Sequence, residues 1–276
     1  MQNFNTEKLL PGVKYTIAVS SGKGGVGKST VAVNLAAALV KEGFKTGLID
    51  ADIYGPSIPM MLGVNEHPKI TQVNGKNILL PVVKYGLKLM SIGFMVDAKE
   101  AVVWRGPMAA SALKQFMSDV IWDELDFLLY DMPPGTGDIQ LTLTQTVPLT
   151  GAVIVTTPQE ISLIDARKGA KMYEKVNVPV LGIIENMSYY SLPSGEKEYI
   201  FGQSGGKKLA EELGISFLGE IPLNTVIRKS GDEGKPEVLA HPESVESKQF
   251  INTARNLIEI MKSIDNSANN QPVIEL

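Results

Sequence analysis

The sequence predicts an α/β fold, a doubly wound and mostly parallel sheet covered by helices on both faces. Three observations carry the prediction. Short apolar runs recur along the chain with helix-patterned segments between them, and strands buried on both faces read as such continuous runs. A glycine-rich turn joins the first run to the first helix. Acidic residues close several runs, at the sheet edge where α/β folds bind ligands.

The elements follow in order. "YTIAVSS" (Tyr15–Ser21) is a buried strand ending in glycines. "KSTVAVNLAAALVKEG" is apolar on most faces and stops at Gly43, a helix C-cap. "KTGLIDAD" is the second strand, and "KNILLPVVKYGLKLMSIG" a hairpin or meander with irregular edges. "GPMAASALKQFMSDVIW" has helical spacing, while "DFLLYDMPPG" is a strand running into a loop. "GAVIVTTP" and "VPVLGIIENM" are strands around the helix "ISLIDARKGAKMYEKV". The helix "SGGKKLAEELG", the strand "SFLGEIP" and the helix "SVESKQFINTARNLIEIMKSI" complete the pattern. Without a linker or an internal repeat, residues 1–264 read as one domain. The polar, Asn-rich 265–276 read as a loosely ordered tail.

Composition narrows the function. The chain has 276 residues, 44% hydrophobic and 20% charged, with a net charge of −4. These are globular values with no electrostatic footprint for nucleic acid or an anionic membrane. The start "MQNFNTEKLLPGVKY" is not a signal peptide, and no run approaches the roughly 18 apolar residues of a spanning helix. A cytoplasmic location is expected. The chain holds no cysteine, which excludes disulfides, thiolate nucleophiles and cysteine-ligated metals.

"SSGKGGVGKST" contains Gly22-x-x-x-x-Gly27-Lys28-Ser29, the P-loop pattern. Gly22, Lys23, Gly24, Gly25, Val26, Gly27, Lys28, Ser29 and Thr30 are expected to cradle phosphate. Inward-turned N–H groups need glycines, and a helix N-terminus adds a favourable dipole. Lys28 should reach the β- and γ-phosphates, the Ser29 hydroxyl should ligate Mg²⁺, and Thr30 is placed for the α-phosphate. Asp131, at the end of "DFLLYD", stands where a carboxylate holds Mg²⁺ through water. Gly135 in "DMPPG" reads as a switch whose N–H senses the γ-phosphate. "LIDADIYGPS" puts Asp50 and Asp52 at the end of the second strand, with turn capping as the other reading. A guanine site carries Asn-Lys-x-Asp; here the strand end reads Asn186-Met187-Ser188-Tyr189. That favours adenine with Asn186 as a contact, or a turn cap in its place. Pro222 and Leu223 in "EIPLNTVIR" are expected against the ring.

Lys23 turns the loop into Lys-Gly-Gly-Val-Gly-Lys-Ser-Thr, a deviant Walker A signature. It resembles the MinD, nitrogenase iron protein and ArsA group of ATPases. That resemblance implies that Lys23 reaches the partner's nucleotide across a homodimer, unless it is a solvated loop lysine. It also implies that Asp52 positions the attacking water and that Asp50 lies near the metal.

"DADIYGPSIPMMLG", "WRGPM", "DMPPGTGDIQLTL", "GAVIVTTPQEISLIDARKG", "GIIENMSYY", "IFGQSGG" and "FLGEIPL…IRKSGDEGKP" together resemble the Mrp/ApbC family, from about Tyr15 to Ile264. The resemblance implies a homodimeric, slow and switch-like Mg²⁺-dependent ATPase, an iron–sulfur cluster carrier or scaffold acting on iron–sulfur apo-proteins or assembly factors. Many members carry Cys-Pro-x-Cys after "NMSY" and share a bridging [4Fe–4S] cluster between subunits. Here Leu192-Pro193-Ser194 stands there, and neither leucine nor serine replaces a thiolate. The thiolates have been substituted, or the chain never carries a cluster by this route, or it holds one transiently through ligands from a partner or small thiol. The alternative function is a MinD/ParA-like positioning or regulatory ATPase.

Weaker features remain. His67 and His241 read as surface residues. Arg105 in Trp104-Arg105-Gly106 is a solvated helix start or a contact for the dimer or a partner. Met60, Met61, Met90, Met95 and Met108 read as core fillers, with a soft-metal or docking surface as the other reading. "FMVDAKEAVVW" reads as an exposed partner surface.

Overall fold

Seven apolar runs lie side by side, all pointing one way, and an eighth strand closes one edge. The structure, a computed structural model, describes residues 9–95 and 105–269. In chain order its elements are β1 (Val13–Ser20), α1 (Lys28–Lys41), β2 (Thr46–Asp50), α2 (Ile58–Met61), β3 (Lys69–Val73), β4 (Lys76–Leu80), β5 (Val82–Lys84) and β6 (Leu87–Ser91). Then come α3 (Gly106–Ser118), β7 (Leu125–Asp131), α4 (Asp138–Thr146), β8 (Gly151–Thr156), α5 (Glu160–Lys175), β9 (Val180–Glu185), β10 (Tyr190–Ser191) and β11 (Lys197–Glu198). The chain continues through α6 (Gly205–Leu213), β12 (Ser216–Glu220), α7 (Thr225–Asp232), α8 (Glu237–Ala240) and α9 (Val245–Asn269).

The main sheet has the order β12-β9-β8-β1-β7-β2-β6-β5. Every neighbouring pair is parallel except β5–β6. Side chains of β1 alternate between two cores: Ile17 and Val19 pack with α1 and α9, and Ala18 with α3, α4 and α5. The phosphate loop therefore leaves the middle of the sheet, with β7 and β8 on either side.

The expected strands and helices all form, and the expected meander is β4, β5 and β6. Four α-helices went unread in the sequence, the first of them α2, a single turn closed by the Met61 N–H on the Ser57 carbonyl at 3.1 Å. α4 is rich in β-branched threonine, a poor helix former. It forms because parallel β7 and β8 need a crossover. Thr142, Thr144 and Thr146 return their hydroxyls to the carbonyls of Asp138, Gln140 and Thr142 at 2.7, 2.8 and 2.7 Å. α7 begins at Asn224, whose Oδ1 accepts from the Val226 N–H at 3.1 Å. α8 hangs on Glu237, a fully buried carboxylate that accepts from the hydroxyls of Ser230 and Ser244 and contacts His241 Nδ1 at 2.9 Å.

The closing helix runs past Ile264 to Asn269, so 265–269 continue α9 where a loose tail was expected. Asp265 is tied down by the Tyr15 hydroxyl and by Lys14 at 2.8 Å. Among the methionines Met90 is buried and Met61 half-buried, while Met60, Met95 and Met108 are 57%, 47% and 47% exposed. The core-filler expectation fails for those three. Arg105 is exposed and precedes α3. Residues 1–8, most of "FMVDAKEAVVW" including Trp104, and 270–276 lie outside the described residues. None of the described helices is long and apolar enough to cross a membrane.

Candidate functional site

Strand ends build the site. β1, β2 and β7 lie in register so that Asp50 pairs with Asp131 across neighbouring strands, and the loop from Ser21 to Gly27 arches over them. Glycine is forced at both ends of that loop. A Cβ on Gly22 would sit 2.1 Å from the Asp165 carbonyl carbon of α5. Gly27 has φ 78°, and a Cβ there would meet Asn186 Nδ2 at 2.2 Å. Val26 is buried, Gly24 and Gly25 are exposed, and Lys23 is half-buried at the mouth.

Lys28, 6% exposed, brings the carboxylates together. Its Nζ lies 2.6 Å from Asp131 Oδ1, 3.5 Å from Asp52 Oδ2 and 3.3 Å from Ser29 Oγ. Asp131 is fully buried and its Oδ2 has no hydrogen-bond partner. Burial raises its pKa against the pull of Lys28. Asp50 is pushed up to about 8, first by burial and then by the Asp131 charge. Its Oδ2 accepts from the Ile58 N–H at 3.2 Å and the Ser91 hydroxyl at 3.0 Å, and its Oδ1 from the Asp52 N–H at 3.3 Å. Asp52 Oδ1 accepts from the Tyr54 N–H at 3.1 Å. The turn-capping reading is thus present at both aspartates, alongside their place beside Lys28 and Asp131. Two adjacent buried carboxylates, one with an unpartnered oxygen, favour a cation. Among the described residues no group of three His, Asp or Glu forms a metal cage. Mg²⁺ does not require one, since it keeps water and phosphate oxygens in its shell.

Gly135 (φ 95°) donates its N–H to the Ser21 carbonyl at 2.9 Å, so in this conformation that N–H does not point to a phosphate. Asn186 Nδ2 donates to the Val26 carbonyl at 2.8 Å, pinning the loop from outside. Beside it lies a cavity of about 220 Å³ lined by Gly27, Thr30, Asn186, Pro222 and Leu223. Met61, Arg228 and Asp232 line it too and were not anticipated. The sequence reads as a loop at Arg228 and Asp232, although their i,i+4 opposite charges are a helix signal.

The segment after β9 forms a hairpin. Leu192-Pro193-Ser194-Gly195 is its turn, closed by the Gly195 N–H on the Leu192 carbonyl and the Leu192 N–H on the Glu196 carbonyl, both 2.9 Å. Lys197 clamps the base, 3.7 Å above the Tyr189 ring and 2.6 Å from Glu220 Oε1. Nothing in this turn suits an iron–sulfur cluster, which needs soft thiolate or imidazole donors. His67 is exposed and edge-on to Phe94, and His241 is occupied by Glu237.

Residues 12–258 match a family model described as ParA, NUBPL iron-transfer P-loop NTPase. The iron-sulfur cluster carrier protein of Aquifex aeolicus is 49% identical over 260 residues, 94% of this chain and 71% of that protein. The Escherichia coli K12 protein of the same description is 56% identical over 234 residues, 84% of this chain and 63% of that one. Among solved structures, a nucleotide-binding protein from Archaeoglobus fulgidus in complex with ADP superposes with a TM-score of 0.76 at 40% identity, covering 89% of this chain and 95% of that one. The cell-division ATPase MinD of Pyrococcus furiosus, at 22% identity and a TM-score of 0.65 over 89% of this chain and 99% of that one, shares the fold. The Mrp/ApbC resemblance is borne out: this chain belongs to the NUBPL-type, ParA-related family of iron-transfer P-loop NTPases.

Proposed function

We propose that the chain is a Mg²⁺-dependent ATPase that works as a nucleotide-switched homodimer in iron–sulfur cluster transfer. The observation that carries the reading is the buried Lys28–Asp131–Asp52 constellation under a glycine loop. Lys28 exchanges Asp131 for the β- and γ-phosphates. Ser29 and Asp131, with Asp50 behind them, would hold Mg²⁺, which when bound would supply positive charge against the transferred phosphoryl group. Asp52 orients the attacking water. Lys23 acts from the partner protomer as a positioned cation. Exposed Tyr54, two residues past Asp52, and exposed Ile161 and Ile164, on the helix whose backbone packs against Gly22, offer apolar surface suited to a second copy.

Adenine follows from Asn186. Its amide N–H serves Val26, which leaves the carbonyl end for a base. An acceptor there matches the amino group of adenine and opposes O6 of guanine. The names of the relatives support the iron–sulfur role, and the ligand chemistry of this chain restricts it: no side chain of its own holds the cluster stably, so cluster ligands come from partners or small thiols. The test is phosphate release from wild type and Asp52→Ala with Mg-ATP. Slow turnover lost in the variant supports the reading; equal, negligible rates reduce the protein to an ATP-binding module. ATP-dependent sedimentation with liposomes or a DNA shift would favour the positioning-ATPase alternative.

A further inference from the structure

Gln140 is 1% exposed and sits in the first turn of α4. Its Nε2 donates to Ser20 Oγ at 2.8 Å and to the Tyr173 hydroxyl at 3.3 Å, while its Oε1 is buried with no partner. A buried amide oxygen left unpaired is uncommon in folded proteins and calls for a reason. Both partners are hydroxyls, able to donate or accept. Turning the amide over places Oε1 on the same two hydroxyls and leaves Nε2 unpaired. The side chain therefore has two arrangements with the same number of partners.

Its position gives that degeneracy a use. Ser20 is the last residue of β1, directly before the phosphate loop. The next residue, Ser21, accepts the Gly135 N–H at 2.9 Å. The residue after that, Gly22, rests on the backbone of α5, which also carries Tyr173. The entry to the loop is thus held by three consecutive residues, two of them bound by the segment that follows β7. A Gly135 N–H that turns to a nucleotide phosphate must first leave Ser21, and α4 follows it in the chain.

We propose that Gln140 is a positioning residue that couples the phosphate loop to α4. When Gly135 exchanges the Ser21 carbonyl for phosphate, the carboxamide trades a donated for an accepted bond on the same hydroxyls. The shift of α4 then costs no hydrogen bond. This rests on the nucleotide-switch reading above.

The test uses the full chain with Gln140→Met, which keeps length and apolar volume, and Tyr173→Phe, which removes one partner hydroxyl. ADP affinity, melting temperature, phosphate release and ATP-dependent dimerisation are measured together. For Gln140→Met, ADP affinity stays within about two-fold while turnover and the dimerisation midpoint worsen by about three- to thirty-fold, the usual span for a coupling residue. Tyr173→Phe moves the same two readouts less. Unchanged turnover and dimerisation in Gln140→Met, with an active wild type, overturn the inference alone. A parallel fall in ADP affinity, melting temperature and turnover overturns it in favour of plain packing. If wild type neither hydrolyses ATP nor dimerises with it, the nucleotide-switch reading fails and takes the inference with it.

Discussion

The phosphate loop and the β10–β11 hairpin are joined by Asn186 yet built on opposite terms. At the loop, each buried charge answers another: Lys28 lies against Asp131, and Asp50 receives three hydrogen bonds. At the hairpin tip, Pro193, Ser194 and Gly195 are exposed and held by backbone turn bonds. Gly22, Gly27, Lys28 and Asp131 cannot change without leaving a buried charge or a clash. Side chains at the hairpin tip can change without disturbing the fold. Burial and charge therefore fix the side chains under the phosphate loop, whereas Pro193 and Ser194 sit where a substitution costs little structurally.

The largest break in that contrast would come from Lys28→Ala. Phosphate release should fall by about 100- to 1,000-fold, the scale for removing one positioned transition-state donor, and ATP binding measured by titration should weaken sharply. Unchanged binding and turnover would remove the loop from the chemistry. Lys23→Ala should follow, lowering turnover or ATP-dependent dimerisation by about ten-fold or more with nucleotide affinity little altered, read by size-exclusion with and without ATP. A variant equal to wild type in both would confine Lys23 to a solvated loop role. Asn186→Ala touches both regions. Loss of its bond to Val26 should cost about 1–3 kcal/mol and narrow the preference for ATP over GTP in competition binding. The smallest effect is expected at the tip. Leu192→Ala with Ser194→Ala should shift stability by less than about 0.5 kcal/mol and leave phosphate release unchanged. Anaerobic iron and sulfide reconstitution sharpens the contrast further: wild type should retain no stoichiometric cluster after desalting, and a retained one would reveal ligands in a region read as having none.

The strands and the loop were legible because burial on two faces and phosphate cradling leave few residue choices. Gly22 and Gly27 are examples, each admitting no side chain. α4 was illegible because its stability comes from a crossover that topology demands and from threonine hydroxyls folded back on their own helix. α7 and α8 depend on Asn224 and on the buried Glu237 network, contacts between residues that no local period reveals. At the site, the sequence placed Asp50, Asp52 and Asp131 at strand ends but could not say that Gly135 would be engaged by Ser21. That bond belongs to a conformation as well as to a composition.

The root of the hairpin has a mechanical consequence. The Ser188 N–H donates to the Ile221 carbonyl and the Leu223 N–H to the Tyr189 carbonyl, at 2.9 and 2.8 Å, so the wall of the cavity beside Asn186 and the root of the hairpin are one laced ribbon. From Tyr190 the arm extends roughly 10 Å to its tip, two residues at strand spacing and then the turn. A pointer pivoted on such a wall magnifies its tilt in proportion to its length, as a needle magnifies the motion of a dial spring.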